Sequence, residues 1–107
     1  MVEAAGPGKV VLGLVDRDGK FLLIRRKKPL LKLEWAFPGG IIKPGETDEQ
    51  AVIREVKEEV GLDVEVVGEK LLERKHPNTL VQIAYFHCQP LADQTPRIGE
   101  DYEIAEI

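Results

Sequence analysis

Glu55, Glu58 and Glu59 crowd the end of what reads as a helix, in the stretch "REVKEEVG". A helix dipole is negative at that end, so each anion there costs about 0.3–1 kcal/mol. Glu55 and Glu59, one turn apart, add a like-charge cost of about a few tenths of a kcal/mol. With Glu55 set at zero and about 100° per residue, Val52, Ile53, Val56 and Val60 fall between about 60° and 160°, an apolar stripe for the core. Glu58 and Glu59 fall near about 300° and 40°, so the carboxylates share one arc beside that stripe, flanked by Arg54 at about 260°. Hard divalent cations take oxygen ligands, often a few carboxylates with waters and substrate phosphates. A bound cation would reverse the sign of this electrostatic problem. A solvated glutamate-rich helix is the plainer alternative, and the helix alone leaves both open.

The elements that must hold these residues can be read around them. Val10–Val15 and Phe21–Arg26 read as strands joined by a turn at Asp16–Gly19, where Asp and Gly suit the geometry. A short Trp35–Phe37 segment runs into Pro38-Gly39-Gly40, which is expected to halt regular structure. Thr47 is a good N-cap with Gln50 completing a capping box, so the helix is expected over Asp48–Val60 with Gly61 as its left-handed stop. Beyond it, "LDVEVVGEKLLERK" and "TLVQIAYFHC" read as two longer strands hinged at His76-Pro77-Asn78. A polar loop follows, and Glu103–Ile107 begins a last strand. With no repeat or linker in 107 residues, the expectation is one α/β domain on a mixed sheet.

Gly40, Glu46, Arg54-Glu55 and Glu58-Glu59-Val60-Gly61-Leu62 stand at the spacing of the Nudix box, and the chain resembles the Nudix (MutT-like) hydrolases. The "AFPGG" entry and "GLDVEV" exit are similar to the family as well. The resemblance implies a mixed sheet sandwiched between helices, with the box as loop–helix–loop. It implies hydrolysis of a nucleoside diphosphate linked to another moiety, with Mg2+ or Mn2+. Carried over by position, Glu55, Glu58, Glu59 and the Gly39 carbonyl are the implied metal ligands, and Arg54 orients Glu55. Gly39 and Gly40 fit a loop whose backbone comes close to metal and phosphates. Glu46 either braces the loop or serves as a helix N-terminal acid. Glu55 is the first choice of general base, with Glu100, Asp101 and Glu103 as late-loop alternatives. Pro77 stands where a proline marks many ADP-ribose-hydrolysing members, which favours ADP-ribose or a nucleoside diphosphate sugar over nucleoside triphosphates. A Nudix-fold regulator without catalysis is the reading of another class, against which the box keeps all its glutamates.

Arg25 and Arg26 end the second strand and could meet a phosphate; strand alternation turns only one of them into a cleft. Trp35 could stack on a base or serve as a half-buried structural ring. His76 and His87 show no ligand spacing, and Cys88 reads as core filler. A net charge of −4 argues against a nucleic-acid groove, and no apolar run is long enough to span a membrane. A single cysteine and an N-terminus without a signal pattern fit a cytoplasmic setting. Family members continue past "EIAEI" into a further helix, so an open sheet face over Leu80–Phe86 and Ile104–Ile107 is expected, covered by a homodimer partner or by further chain.

Overall fold

The computed structural model describes residues 8–26, 35–78, 80–97 and 102–106, with the backbone path alone for residues 26 and 102–106. The expectations for Glu100 and Asp101, and for the side chains of Arg26 and Glu103, lie outside the described residues.

Strands β1 (Lys9–Arg17) and β2 (Lys20–Arg26) form a hairpin closed by Asp18 and Gly19, both at positive φ (53° and 78°). Such a two-residue turn matches the right-handed twist of its strands, and the Asp16 carboxylate accepts the Gly19 N–H at 3.1 Å. β1 pairs in parallel with β6 (Gln82–Pro90), and this pair is the centre of the sheet. The far edge of β6 carries β4 (Val64–Val66) and β5 (Leu72–Lys75), both antiparallel. The far edge of β1 is shared: β3 (Gly39–Ile41) takes its first half and β2 its last two residues. β7 (Tyr102–Glu106) closes the order β4-β6-β1-β2-β7 on the other edge of β2. A mixed sheet with α1 (Asp48–Val60) on one face is the α/β arrangement expected.

Helix α1 buries Ala51, Val52, Val56 and Val60 against Val11, Val15, Ala84, Phe86 and Cys88 of the central strands. Gly13 makes this close seating feasible. A Cβ there would stand 3.0 Å from a Val52 methyl, 3.2 Å from a Val56 methyl and 3.4 Å from the Cys88 sulfur. Cys88 is core filler as expected, and burial pushes its thiol up to about 12.

Four expectations are corrected. Gly39-Gly40 does not halt the chain but forms β3, because a strand without side chains can lie tight against β1. "LDVEVVGEKLLERK" is two strands, broken where Gly68 takes a φ of 74°. Ile53 is 36% exposed, and Ala51 takes its place in the core. The open face expected over residues 80–86 is largely closed: β6 is an interior strand, so Ala84 and Phe86 lie buried under α1, Val81, Ile83 and Tyr85 are half-buried, and Leu80 alone of these apolar residues is exposed, while the side chains of Ile104–Ile107 lie outside the described residues. Among the described residues, no helix is long and apolar enough to cross a membrane.

The seating of α1 is testable through Gly13. Gly13→Val adds three carbons where the Val52 and Val56 methyls already stand, and overpacking of this kind costs about 1–3 kcal/mol. Urea unfolding is expected to show that loss; an unchanged midpoint would mean that α1 can lift off β1 freely.

Candidate active site

Helix α1 is fixed at both ends. Thr47 accepts the Gln50 N–H at 3.1 Å while the Gln50 side chain accepts the Thr47 N–H at 3.0 Å, the reciprocal box read from the sequence. Lys9 of β1 donates to Asp48 in the first turn at 2.7 Å and also meets Glu73 of β5 at 2.8 Å. At the other end Gly61, with φ 72°, donates to the Lys57 carbonyl at 3.0 Å. The buried face has Ala51 at about −40° and Val60 at about 140° when Glu55 is zero. Glu55 and Glu59 therefore project from within the packed face and not from beside it, which corrects the stripe drawn from the sequence.

Arg54 is the hub of the acidic group. Its Nε and Nη2 donate to the two Glu46 oxygens at 2.6 and 3.0 Å, and Nη2 also reaches the Ile41 carbonyl at 3.2 Å. Its Nη1 donates to Glu55 at 2.9 Å and to Glu58 at 3.2 Å. Glu46 is thus a brace between the loop and the helix, and it also accepts the Lys43 N–H at 2.8 Å. Arg54, and then that N–H, hold the Glu46 carboxyl down at about 2. Glu46 in turn raises the Arg54 guanidinium above its already high range.

Glu59 has no such cation beside it among the described residues. It accepts the Gly39 N–H at 2.7 Å. Burial, reinforced by Glu55 and Glu58 and opposed by that N–H, pushes its carboxyl up to about 7. The two glycines of β3 explain the closeness of strand and helix. A Cβ at Gly39 would fall 2.0 Å from the Val11 carbonyl oxygen, and one at Gly40 would fall 2.7 Å from the Glu55 carboxylate. The close approach inferred from the sequence is real, but what meets these glycines is the protein's own β1 backbone and Glu55.

The structure thus brings Arg54, Glu55, Glu58, Glu59 and Gly39 together. Among the described residues no three acidic, His or Cys side chains are gathered as a ready-made cation cage. Glu55 and Glu58 are committed to Arg54, and Glu59 to Gly39. The donor chemistry nonetheless fits a hard divalent ion, since every side-chain donor is a carboxylate oxygen. Arg54 Nη1 already stands as one cationic centre within reach of both Glu55 and Glu58, while Glu59 is a half-buried acid short of positive charge. Away from this group, the Arg25 guanidinium lies 4.8 Å above the Trp35 ring, which is 37% exposed. These two predicted substrate contacts meet each other. His87 Nε2 lies 3.4 Å from Asp16, and His76 Nδ1 accepts the Asn78 N–H. Sequence reasoning missed Gly13, whose signal was a glycine inside a β-branched strand. It also missed Gln94, whose partners are distant in the chain.

Glu59 makes stability depend on pH. Its carboxyl is pushed up to about 7 in the folded chain from an ordinary 4.5, so between those values the folded state holds a proton that the unfolded state has lost. Stability contributed by this group is full below about 4.5 and falls as pH rises to about 7, by about 2 kcal/mol after discounting for solvent screening. Glu46, shifted the other way, acts only in the lower window between about 2 and 4.5. In metal-free buffer, urea unfolding from pH 4.5 to 7.5 is expected to show the decline for the parent and a flatter profile for Glu59→Gln. Parallel profiles would place Glu59 in water.

Comparison with known proteins agrees with this architecture. The sequence model of the NUDIX domain matches residues 6–107. The ADP-ribose pyrophosphatase of Methanocaldococcus jannaschii is 50% identical over 56 residues, covering 52% of this chain and 33% of that protein. The CTP pyrophosphohydrolase of Escherichia coli is 40% identical over 62 residues, covering 57% of this chain and 45% of that protein. The crystal structure of a NUDIX hydrolase from Nitrosomonas europaea superposes over 100% of this chain and 60% of its own with a TM-score of 0.85, at 23% identity, which shows the shared fold. The matches thus span less than half of the two sequence relatives. With the family model covering nearly all of it, the chain belongs to the Nudix family.

Proposed function

We propose that this chain is a Mg2+- or Mn2+-dependent pyrophosphohydrolase acting on a nucleoside diphosphate linked to another moiety, ADP-ribose or a nucleoside diphosphate sugar before others. The observation that carries the reading is the acidic end of α1 held against the glycine strand, with Glu59 short of compensating charge and Glu55 pressed on Gly40. Glu55, Glu58, Glu59 and the Gly39 carbonyl would hold the cation. When bound, the cation neutralises charge developing on the phosphate oxygens. Glu55 takes a proton from water as the water oxygen bonds to phosphorus; the bridging P–O bond breaks and two phosphate products leave. Arg54 fixes Glu55 through the 2.9 Å bond from Nη1. Arg25 or Arg26 meets the substrate's phosphates, and the exposed part of Trp35 offers a face for a base. The substrate preference draws on Pro77 and on the M. jannaschii relative named an ADP-ribose pyrophosphatase. Hydrolysis of nucleoside triphosphates is the second reading, favoured by the E. coli relative's name, CTP pyrophosphohydrolase.

Turnover of ADP-ribose, nucleoside diphosphate sugars and (d)NTPs with and without Mg2+ tests both. Glu58 is 53% exposed, so Glu58→Gln leaves the fold intact and is expected to lower turnover about a hundredfold or more. Gly40→Ala forces Glu55 aside and should lose activity far beyond its loss of stability. Metal-independent hydrolysis, or parental rates in Glu58→Gln, would sink the proposal.

A further inference from the structure

The last turn of α1 is the least self-sufficient part of the helix. Helix ends fray and leave carbonyls without intrahelical partners, and here Glu55, Glu58 and Glu59 add repulsion near the negative end of the dipole. A segment far along the chain holds that turn in place. Residues 91–97 leave the end of β6 and lie across residues 60–63. The Arg97 N–H donates to the Val60 carbonyl at 2.7 Å, and the Leu91 N–H donates to the Asp63 carbonyl at 2.9 Å. Gly61 faces the Arg97 backbone, where even a Cβ would make only ordinary contact.

Gln94 is the bolt of this strap. Its side-chain oxygen accepts the Asp63 N–H and its side-chain nitrogen donates to the Asp63 carbonyl, both at 2.9 Å, a two-way pairing like one rung of a sheet. Its own carbonyl accepts from Arg17 Nη1 at 2.9 Å, which ties the strap to the end of β1. Pro90 and Pro96 lie with Val15, Leu22 and Leu62 around the same corner, so apolar packing accompanies the polar bolt. Asp63 itself pairs with Lys57 of the last turns at 3.1 Å.

We propose that Gln94 is a positioning residue for the cation: by clamping residues 91–97 onto the end of α1, it holds Glu58 and Glu59 in register with β3. This rests on the cation-dependent reading above. The effect travels through the helix end, since none of Gln94's named bonds goes to a carboxylate.

Mn2+ binding to the protein alone, followed by electron paramagnetic resonance, tests it. Gln94→Met keeps the length of the side chain and removes both bonds; Gln94→Glu keeps an acceptor for the Asp63 N–H and loses the donor. Gln94→Met is expected to bind Mn2+ about tenfold more weakly, with Gln94→Glu between it and the parent. The Mg2+ concentration giving half-maximal turnover should rise in the same order, while KM for the nucleotide stays near the parent's. Mn2+ affinity equal to the parent's in a folded Gln94 variant overturns the proposal, whatever its melting temperature. Should Gln94→Met not fold, Gln94→Glu decides by the same comparison. A parent chain that takes up no Mn2+ would overturn the cation reading itself, a result distinct from equal binding by parent and variant.

Discussion

Three positions without a side chain set how closely the layers of this protein meet. Gly13 lets α1 settle on β1, Gly39 lets β3 settle on the same strand, and Gly40 leaves room for the Glu55 carboxylate against β3. The contacts form a chain: β1 seats both the helix and the glycine strand, so the distance between them is fixed by one rigid element. The 2.7 Å bond from Gly39 to Glu59 follows from that placement. Interiors are packed too densely to absorb an added methyl without movement, so a change at any of these glycines shifts the carboxylates as well as the core.

Within that frame, charge is divided unevenly. Arg54 serves Glu46, Glu55 and Glu58, and the carboxyl it grips with two bonds, Glu46, is the one held at about 2. Glu59 turns the other way, into the packed face, and is raised to about 7. Two glutamates of one short segment thus differ because one meets a guanidinium while the other is half-buried beside two like charges with a single N–H. Glu46 is a structural brace between loop and helix, whereas Glu59 has no cation beside it among the described residues. The cost anticipated for an acidic helix end is only partly relieved by the protein's own groups.

What the sequence made legible was local. The capping box at Thr47 and Gln50, the helix Asp48–Val60, the Gly61 stop and the turn expected at Asp16–Gly19, which closes more tightly at Asp18 and Gly19, all depend on residues a few positions apart. The carboxylate cluster was legible because a helix converts spacing directly into angle. The helical phase was drawn slightly wrong, since Ala51 carries little hydrophobic signal and Ile53 carries much, yet Ala51 is the one that fits beneath the strands. β3 was missed because two consecutive glycines argue for a turn by propensity, and only the presence of β1 alongside makes them a strand. The division of β4 from β5 likewise depends on where β6 offers pairing partners.

The strap at 91–97 extends the same point to the site itself. Asp63 and Gln94 are separated by 31 residues, and nothing in either side chain announces the other. Their pairing follows from topology: β6 runs parallel to β1, so the chain leaving β6 emerges at the end of β1 where Arg17 stands, beside the corner at which α1 ends. A parallel central pair therefore delivers the late segment to the acidic helix terminus. The three glutamates that would meet a cation lie within five residues, and Arg54 beside them grips two, but the packing that seats their helix comes from β1, β3 and the segment beyond β6. That separation explains why the glutamates and their local supports, Arg54 and the capping box, were readable in the sequence while Gly13 and Gln94 were not.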